Sequence, residues 1–256
     1  MNEKMLDVMK EAALAGAAGI KLAKAANITM KEKSPGEFVT NCDIASEKAI
    51  IDILKKHYPQ SSFLSEEIGK LEGGNPLWVI DPLDGTHNFM FGDKLYGISI
   101  AAYENKDAVA GVIYLPEFNA MYYAARGGGA FLNGKKINVS DRMPLNKCMI
   151  AYGPNLHRHK DAMAHLSILA RECFTIRISG SAVVGLANIA SGVLDARIFH
   201  GTKPVDFAAG ALIVTEAGGK ATDFNGEQYS LETSDLIISN GKIHKQLCEL
   251  LRGKGK

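Results

Sequence analysis

Leu77-Trp78-Val79-Ile80-Asp81-Pro82-Leu83-Asp84-Gly85-Thr86 decides how the rest of the chain is read. Its first four residues are a continuous apolar run between Pro76 and Pro82, the pattern of a short strand buried on both faces. Two carboxylates, Asp81 and Asp84, leave the end of that strand, and Pro82 stiffens the turn that aims both at one point. Paired negative charges at the mouth of a core strand repel each other unless a cation or hydrogen bonds compensate them. An oxygen-only donor set favours Mg²⁺, Mn²⁺ or Ca²⁺ over zinc. Gly85 and Thr86 add backbone N–H groups suited to an anion beside the ion. The competing reading is a plain polar turn, because Asp, Pro and Gly are the commonest turn residues.

Strand-like runs follow at 98–103, 109–115 and 120–124. Phe131–Ile137 places Asn133-Gly134 between two more, which predicts a hairpin. This disposes of a decoy: Gly129 to Lys135 spells GxxxxGK, but Lys136 stands where a phosphate-binding loop has Ser or Thr, and no strand-to-helix junction is present. Upstream, Met5, Val8, Met9, Ala12 and Ala13 recur at helical spacing in an Ala-rich helix over 3–26. Lys31–Glu37 mixes charge with Ser34-Pro35-Gly36 and reads as an exposed, mobile loop. Asp43 then caps a helix with apolar positions Ile44, Ile50, Ile51 and Leu54, ending at Tyr58-Pro59, and a strand follows at 62–64. Beyond 148 the chain alternates strands (148–152, 173–178, 193–199, 235–239) with helices (about 158–170, 181–191, 206–217, 242–252), and Gly192 caps one helix C-terminus. No repeat or linker divides the sequence, which predicts one domain over 1–256 with lobes 1–140 and 141–256.

Composition excludes several classes. The chain has 256 residues, 46% hydrophobic and 22% charged, as in an ordinary soluble globular protein. With 29 Lys and Arg against 28 Asp and Glu, net charge is +1, so there is no basic field for nucleic acid or an anionic membrane. No apolar run reaches the ~18 residues of a membrane span, and the N-terminus does not read as a secretory signal. Four cysteines without a CxxC pair suit a reducing cytoplasm and count against a zinc site. Cys42, beside Asp43, reads as core filler or as an oxidation-sensitive thiol.

Three further segments are weak alone. Ser65-Glu66-Glu67 follows a strand, as solvated surface often does, while Asp43 and Asp206 each precede an apolar helix, as caps do. In chain order, however, Glu66-Glu67, Asp81-Pro-Leu-Asp84-Gly-Thr86 and Asp206-Phe-Ala-Ala-Gly210 running to Gly219 resemble the inositol monophosphatase family, with Asp43 upstream and Gly180-Ser181-Ala182 downstream. The resemblance covers almost the whole chain. It implies an α+β fold, the alternating α-β-α-β-α layered sandwich of the sugar phosphatases, shared with fructose-1,6-bisphosphatases. It also implies Mg²⁺-dependent, lithium-sensitive hydrolysis of small phosphate monoesters, with Mn²⁺ a possible substitute, by a cytoplasmic homodimer.

Carried over residue by residue, the resemblance assigns one Mg²⁺ to Glu66, Asp81 and the Leu83 carbonyl. It assigns a second to Asp81, Asp84 and Asp206, and a third, weaker one mainly to Glu66. The catalytic set is Thr86, Asp43 and Glu66, with Asp43 bonded to Thr86 to orient the attacking water. Asp84, Gly85 and Thr86 would meet the phosphate, and Gly180, Ser181, Ala182 and Arg177 the rest of the substrate. Lys33 lies near the position of a mobile-loop lysine.

Departures bear on the substrate. Phe199 stands seven residues before Asp206, where many members carry an inositol-binding Glu, and Val205 stands where Trp is common. A site without a hydroxyl-reading carboxylate discriminates polyols less well. Inositol-1-phosphate is the first expectation. Fructose-1,6-bisphosphate, dual activity, or another ester such as 3′-phosphoadenosine-5′-phosphate, NADP or histidinol phosphate remain open. The cluster His157-Arg158-His159-Lys160 reads either as solvated loop or as a site for a second anionic group. Aspartate-nucleophile phosphatases also run from Asp to Gly-Thr, but with carboxylates two apart rather than the three of Asp81 and Asp84. A non-catalytic metal- or sugar-phosphate-binding regulator is the reading from another class.

Overall fold

A computed structural model describes residues 2–153, 156 and 159–252. Helices α1 (Asn2–Ala25) and α2 (Asn41–His57) flank a hairpin of β1 (Met30–Ser34) and β2 (Glu37–Thr40). Then come β3 (Ser61–Ser65), β4 (Gly69–Leu71), β5 (Gly74–Asp84), α3 (Thr86–Met90), β6 (Gly97–Glu104), β7 (Asp107–Leu115), β8 (Ala120–Ala125), β9 (Ala130–Leu132) and β10 (Lys135–Ile137). The second half holds β11 (Met149–Tyr152), α4 (Ala162–Glu172), β12 (Thr175–Arg177), α5 (Ala182–Ala190) and β13 (Ala196–Phe199). It ends with α6 (Pro204–Glu216), β14 (Lys220–Asp223), β15 (Leu236–Ser239) and α7 (His244–Leu251).

Side-chain alternation along the strands sorts these elements into layers. The first sheet runs β10-β9-β8-β7-β6-β5-β3-β4 and the second β12-β11-β13-β15-β14. Trp78 and Ile80 of β5, with Ile98 and Ile100 of β6, turn toward Met9 of α1 and Leu54 of α2. Val79 and Ala101 face the opposite way, into a core shared with α5, α6 and one face of the second sheet. The other face of that sheet, through Ile150, Ala196 and Ile237, packs on Leu169 of α4 and Leu247 of α7. The order is therefore helices, sheet, helices, sheet, helices, the expected α-β-α-β-α sandwich. Trp78, fully buried and edge-on to Tyr58 at 5.3 Å between ring centroids, anchors the first interface. Truncating such a residue to Ala costs roughly 3–5 kcal/mol.

Differences from the sequence reading are local. The 31–37 segment is not an irregular loop: β1 and β2 pair across a turn at Pro35-Gly36, with Gly36 at φ +73. Exposed charges on β1 hide the alternation that normally marks a strand. Strand β5 runs on through Asp81 to Asp84 rather than stopping at Ile80. The N-cap of α2 is Thr40, and Asp43 is the third helical residue, reaching back to it. Short strands β4 and β14 went unread because three or four residues carry too little pattern. The Asn133-Gly134 hairpin forms as expected, both residues at positive φ (47 and 82).

Candidate active site

Helix α2 is pinned before the site is built. A Cβ on Gly16 of α1 would lie 2.8 Å from Ser46 Oγ, and one on Gly19 the same distance from the Ala45 carbonyl, so these two glycines let the helices approach. Ser46 Oγ then donates to the Pro82 carbonyl at 2.7 Å, fixing the end of β5. The neighbouring Glu47, buried, accepts the Ser65 hydroxyl and the N–H groups of Glu67 (3.1 Å) and Ile68 (3.2 Å). One turn of α2 thus positions both the Asp81–Asp84 segment and the turn bearing Glu66.

Residues three apart on a regular strand point to opposite faces. Here Asp81 pairs with Ser99 and Asp84 with Gly97, an irregularity that puts one extra residue on β5. Such a bulge re-aims side chains, and it brings Asp81 and Asp84 to the same side. Asp206, the third residue of α6, meets them there: oxygens of the three lie within 4.8 Å of one another. Asp84 is held by the Ser181 hydroxyl and by the N–H groups of Ala182 and Val183 at 3.1 Å each, so it caps the start of α5. Asp206 accepts from Thr202 Oγ1 (2.7 Å) and Lys203 N (3.0 Å). Asp81 accepts the Leu83 N–H at 3.1 Å.

Charge dominates this cluster. Burial first, then the neighbouring charges of Glu66, Asp84 and Asp206, pushes the Asp81 carboxyl well above its ordinary range. Burial raises Asp84 to about 6, against the Ser181 hydrogen bond, and raises Glu66 to about 7, against Lys33. Carboxylates so placed resist ionisation unless positive charge arrives. Two cations are built in. Arg197 of β13 is buried beside Asp84 and Asp206, donating to the Ser181 carbonyl at 2.9 Å. Lys33 lies 2.7 Å from Glu67 and 3.6 Å from Glu66. A cluster of buried oxygen donors with this surplus of acid fits a hard divalent cation.

Beside the cluster, Thr86 Oγ1 lies 3.0 Å from Asp43 Oδ1 and 3.1 Å from the Leu83 carbonyl. The other Asp43 oxygen accepts the Thr40 N–H at 2.9 Å and the Thr40 hydroxyl. Burial raises the Asp43 carboxyl in spite of these bonds. One cavity is lined by Glu66, Asp81, Leu83, Gly85, Thr86 and Asp206, among others. Gly85, at φ +87 with the Leu95 carbonyl 2.9 Å from where a Cβ would be, makes the turn into α3. Gly180 borders this cavity and an adjoining one that Ala182, Arg197 and Phe199 also line, the two meeting at Asp84 and Asp206, and Ser181 faces Asp84.

Arg177 is not brought there: it is exposed and donates to Thr175 Oγ1 (2.8 Å) and the Ile176 carbonyl of its own strand. His157 and Arg158 lie outside the described residues, while His159 borders the cavity. Three contributors went unread in the sequence: Glu47, the Ser181 hydroxyl and Arg197. The available signals were a charged residue inside the buried run Ala196–Phe199 and a mid-helix Gly185, where a Cβ would sit 2.7 Å from the Arg197 guanidinium.

A sandwich of this order with clustered acids at one cavity is the architecture of a phosphatase family. The chain belongs to the inositol monophosphatase family, whose sequence profile matches residues 1–256. It is 36% identical over 222 residues to a Thermotoga maritima protein named fructose-1,6-bisphosphatase/inositol-1-monophosphatase, covering 86% of this chain and 85% of that one. It is 36% identical over 230 residues to the Escherichia coli protein named Nus factor SuhB, covering 88% and 86%. The solved inositol monophosphatase of Anabaena (Nostoc) superposes with a TM-score of 0.87 at 34% identity, over 97% of this chain and 95% of that one. Among the described residues no helix is long and apolar enough to cross a membrane.

Proposed function

We propose that this chain is a Mg²⁺-dependent phosphomonoesterase, acting as one catalytic unit in a cytoplasmic homodimer, that hydrolyses inositol-1-phosphate to inositol and phosphate. The observation that carries this reading is the convergence of Asp81, Asp84 and Asp206 on the cavity that Thr86 also lines, with Asp43 bonded behind it. Glu66, Asp81 and the Leu83 carbonyl would hold one Mg²⁺, Asp81, Asp84 and Asp206 a second, and Glu66 chiefly a third. When bound, such ions supply charge that opposes the phosphoryl oxygens and makes water a better acid.

The protein's own groups do the rest. Thr86 donates its hydroxyl proton to Asp43, which leaves its oxygen to accept a hydrogen bond from the attacking water and orient it. Asp43, raised by burial, is a stronger base than an ordinary aspartate and receives the proton through Thr86. The N–H groups of Gly85 and Thr86 would meet the phosphate, and the α5 start at Gly180–Ala182 the alcohol. Attack by water rather than by a carboxylate is supported by Asp84, whose oxygens already accept three hydrogen bonds.

A second substrate, fructose-1,6-bisphosphate, is favoured by Phe199. It is an apolar, buried residue that borders the adjoining cavity with Arg197, whose guanidinium lies 4.8 Å from its ring centroid. The intact acidic cluster supports catalysis over a purely binding, regulatory role.

Phosphate release with Mg²⁺ from inositol-1-phosphate, fructose-1,6-bisphosphate, 3′-phosphoadenosine-5′-phosphate, NADP and histidinol phosphate tests the proposal. Turnover of one of the first two is expected, abolished in Asp81→Asn with the circular dichroism unchanged. Preference for the nucleotides overturns the substrate assignment, and retained turnover in Asp81→Asn overturns the mechanism.

A further inference from the structure

At one end of the central strands β13 and β15 of the second sheet, bordering the cavity, three histidines gather around an aspartate that the hydrolytic site does not use. His159 precedes α4, His200 follows β13 and Asp235 precedes β15, so the sequence gives no hint of their meeting. Ligand atoms of the three lie within 4.8 Å of one another. His159 Nε2 is 3.6 Å from Asp235 Oδ2, and His200 Nδ1 is 4.0 Å from Asp235 Oδ1. The two imidazole centroids are 4.7 Å apart. Behind them His165 of α4, buried, sets its Nδ1 3.4 Å from His200 Nε2.

Four angstroms is too long for a hydrogen bond, and His200 Nδ1 is a buried nitrogen without a hydrogen-bond partner. A buried polar atom left in that condition calls for an explanation. Two donors sharing a tetrahedral zinc at ~2.0–2.1 Å each are roughly 3.4 Å apart, close to the separations found here. We propose that His159 Nε2, His200 Nδ1 and Asp235 form a transition-metal site for Zn²⁺, distinct from the carboxylate cluster.

The surroundings agree with that chemistry. Metal-bound histidines use their second nitrogen in a further hydrogen bond that fixes the ring, and His200 Nε2 faces His165 Nδ1 in that way. The Asp235 carboxylate is steadied by the Gly201 N–H at 2.9 Å. Rings of Tyr152 and Phe224, at 5.6 and 5.1 Å, wall His200 with apolar surface. An anionic ligand fits worse: Asp235 repels it, and burial, with His165 next, lowers His200 to about 4 so that its ring stays neutral. One contact must give way. The Asp161 N–H donates to His159 Nδ1 at 3.3 Å, and that nitrogen takes the ring proton once Nε2 holds an ion. The cysteines, all free, lie elsewhere and contribute nothing, so a motif search for sulfur ligands passes over this site. An ion here would tie His159 and Asp235 to the segment that runs from His200 through Thr202 to Asp206.

The test uses the full chain, stripped with chelator and returned to a large excess of Mg²⁺ that saturates the oxygen-only donors. Zn²⁺ is titrated by calorimetry, Co²⁺ by visible absorption, and the bound Zn²⁺ is examined by X-ray absorption. One equivalent should bind, with the intense d–d bands of low-coordinate Co²⁺ and imidazole scattering around zinc, and Asp81→Asn should keep all three signals. His159→Ala and His200→Ala should each lose the Co²⁺ bands and weaken Zn²⁺ at least roughly tenfold, and His165→Ala should weaken it by about 10–100-fold through ring orientation. Zinc without imidazole scattering in the unmodified protein overturns the proposal. So do signals lost in Asp81→Asn, or affinities unchanged in both His159→Ala and His200→Ala.

Discussion

Removing divalent ions should make the folded state unusually sensitive to rising pH. In the metal-free protein the Glu66 carboxyl rises from 4.5 to about 7, and Asp84 from 3.8 to about 6. Both bind protons more tightly folded than unfolded, so their stabilisation is complete below about pH 4 and is lost as pH climbs through 6 and 7. A tenfold gain in proton affinity on folding is worth about 1.4 kcal/mol, so each group contributes on the order of 3 kcal/mol. They share Asp206 as a neighbour, so the contributions do not simply add. The two carboxyls together contribute a loss of about 3–6 kcal/mol. His200 and His244, each lowered by burial to about 4, act in the opposite sense over the same window, so the loss is read as a difference from a variant lacking one of the carboxyls. Urea unfolding by circular dichroism in EDTA, at steps across this window, measures it. Glu66→Gln isolates one group: its stability should fall less steeply with pH than that of the unmodified protein. Excess Mg²⁺, which on the proposed assignment would bind the ionised carboxylates of the folded state only, should shrink the difference between the unmodified protein and Glu66→Gln by mass action. Metal-free protein whose stability stays level or rises relative to Glu66→Gln between pH 4.5 and 7 would refute the electrostatic reasoning.

Two further outcomes concern the reaction. Thr86→Ala should lower kcat by roughly 10²–10⁴-fold, and Asp43→Asn by a similar factor. Because the two act as one unit, the double variant should be little worse than either single change in steady-state assays. Phe199→Glu places a carboxylate beside Arg197 at the cavity adjoining the acidic cluster, and it should raise kcat/KM for inositol-1-phosphate relative to fructose-1,6-bisphosphate about tenfold or more. An unchanged ratio would show that position 199 does not read the alcohol.

Periodicity made the helices and central strands legible, because a buried run such as Trp78–Ile80 or the spacing of Met5, Met9 and Ala12 admits few alternatives. The acids of the site were legible too, as residue types. Their geometry was not. Whether Asp81 and Asp84 share a face depends on one extra residue in the pairing of β5 with β6, and nothing in the strand's own sequence fixes its partner's register. Asp43 and Asp206 both look like N-caps because each precedes an apolar stretch. Both sit instead at the third helical position and bond back to residues 40 and 203, a shift smaller than sequence-based boundaries resolve. The Ser181–Asp84 and Thr86–Asp43 contacts join residues 97 and 43 positions apart, and only the tertiary fold brings such pairs together.

Those long-range contacts explain how an acidic centre can be assembled without waiting for its ions. Arg197 is seated against Gly185 and grips the Ser181 carbonyl. Ser181 in turn holds Asp84, Thr202 holds Asp206, and Glu47 with Ser46 fixes the two turns on the opposite wall. Asp84 and Asp206 are thereby fixed by donors of the fold itself, so on the proposed reading an arriving cation would meet these two ligands already oriented, with little ordering entropy left to oppose binding. Burial first, and after it the repulsion left among those oxygens, raises Asp81, Asp84 and Glu66. Preorganisation and strained charge are thus two aspects of one arrangement: relaxing the carboxylates apart would stabilise the metal-free fold and weaken the metal in the same step.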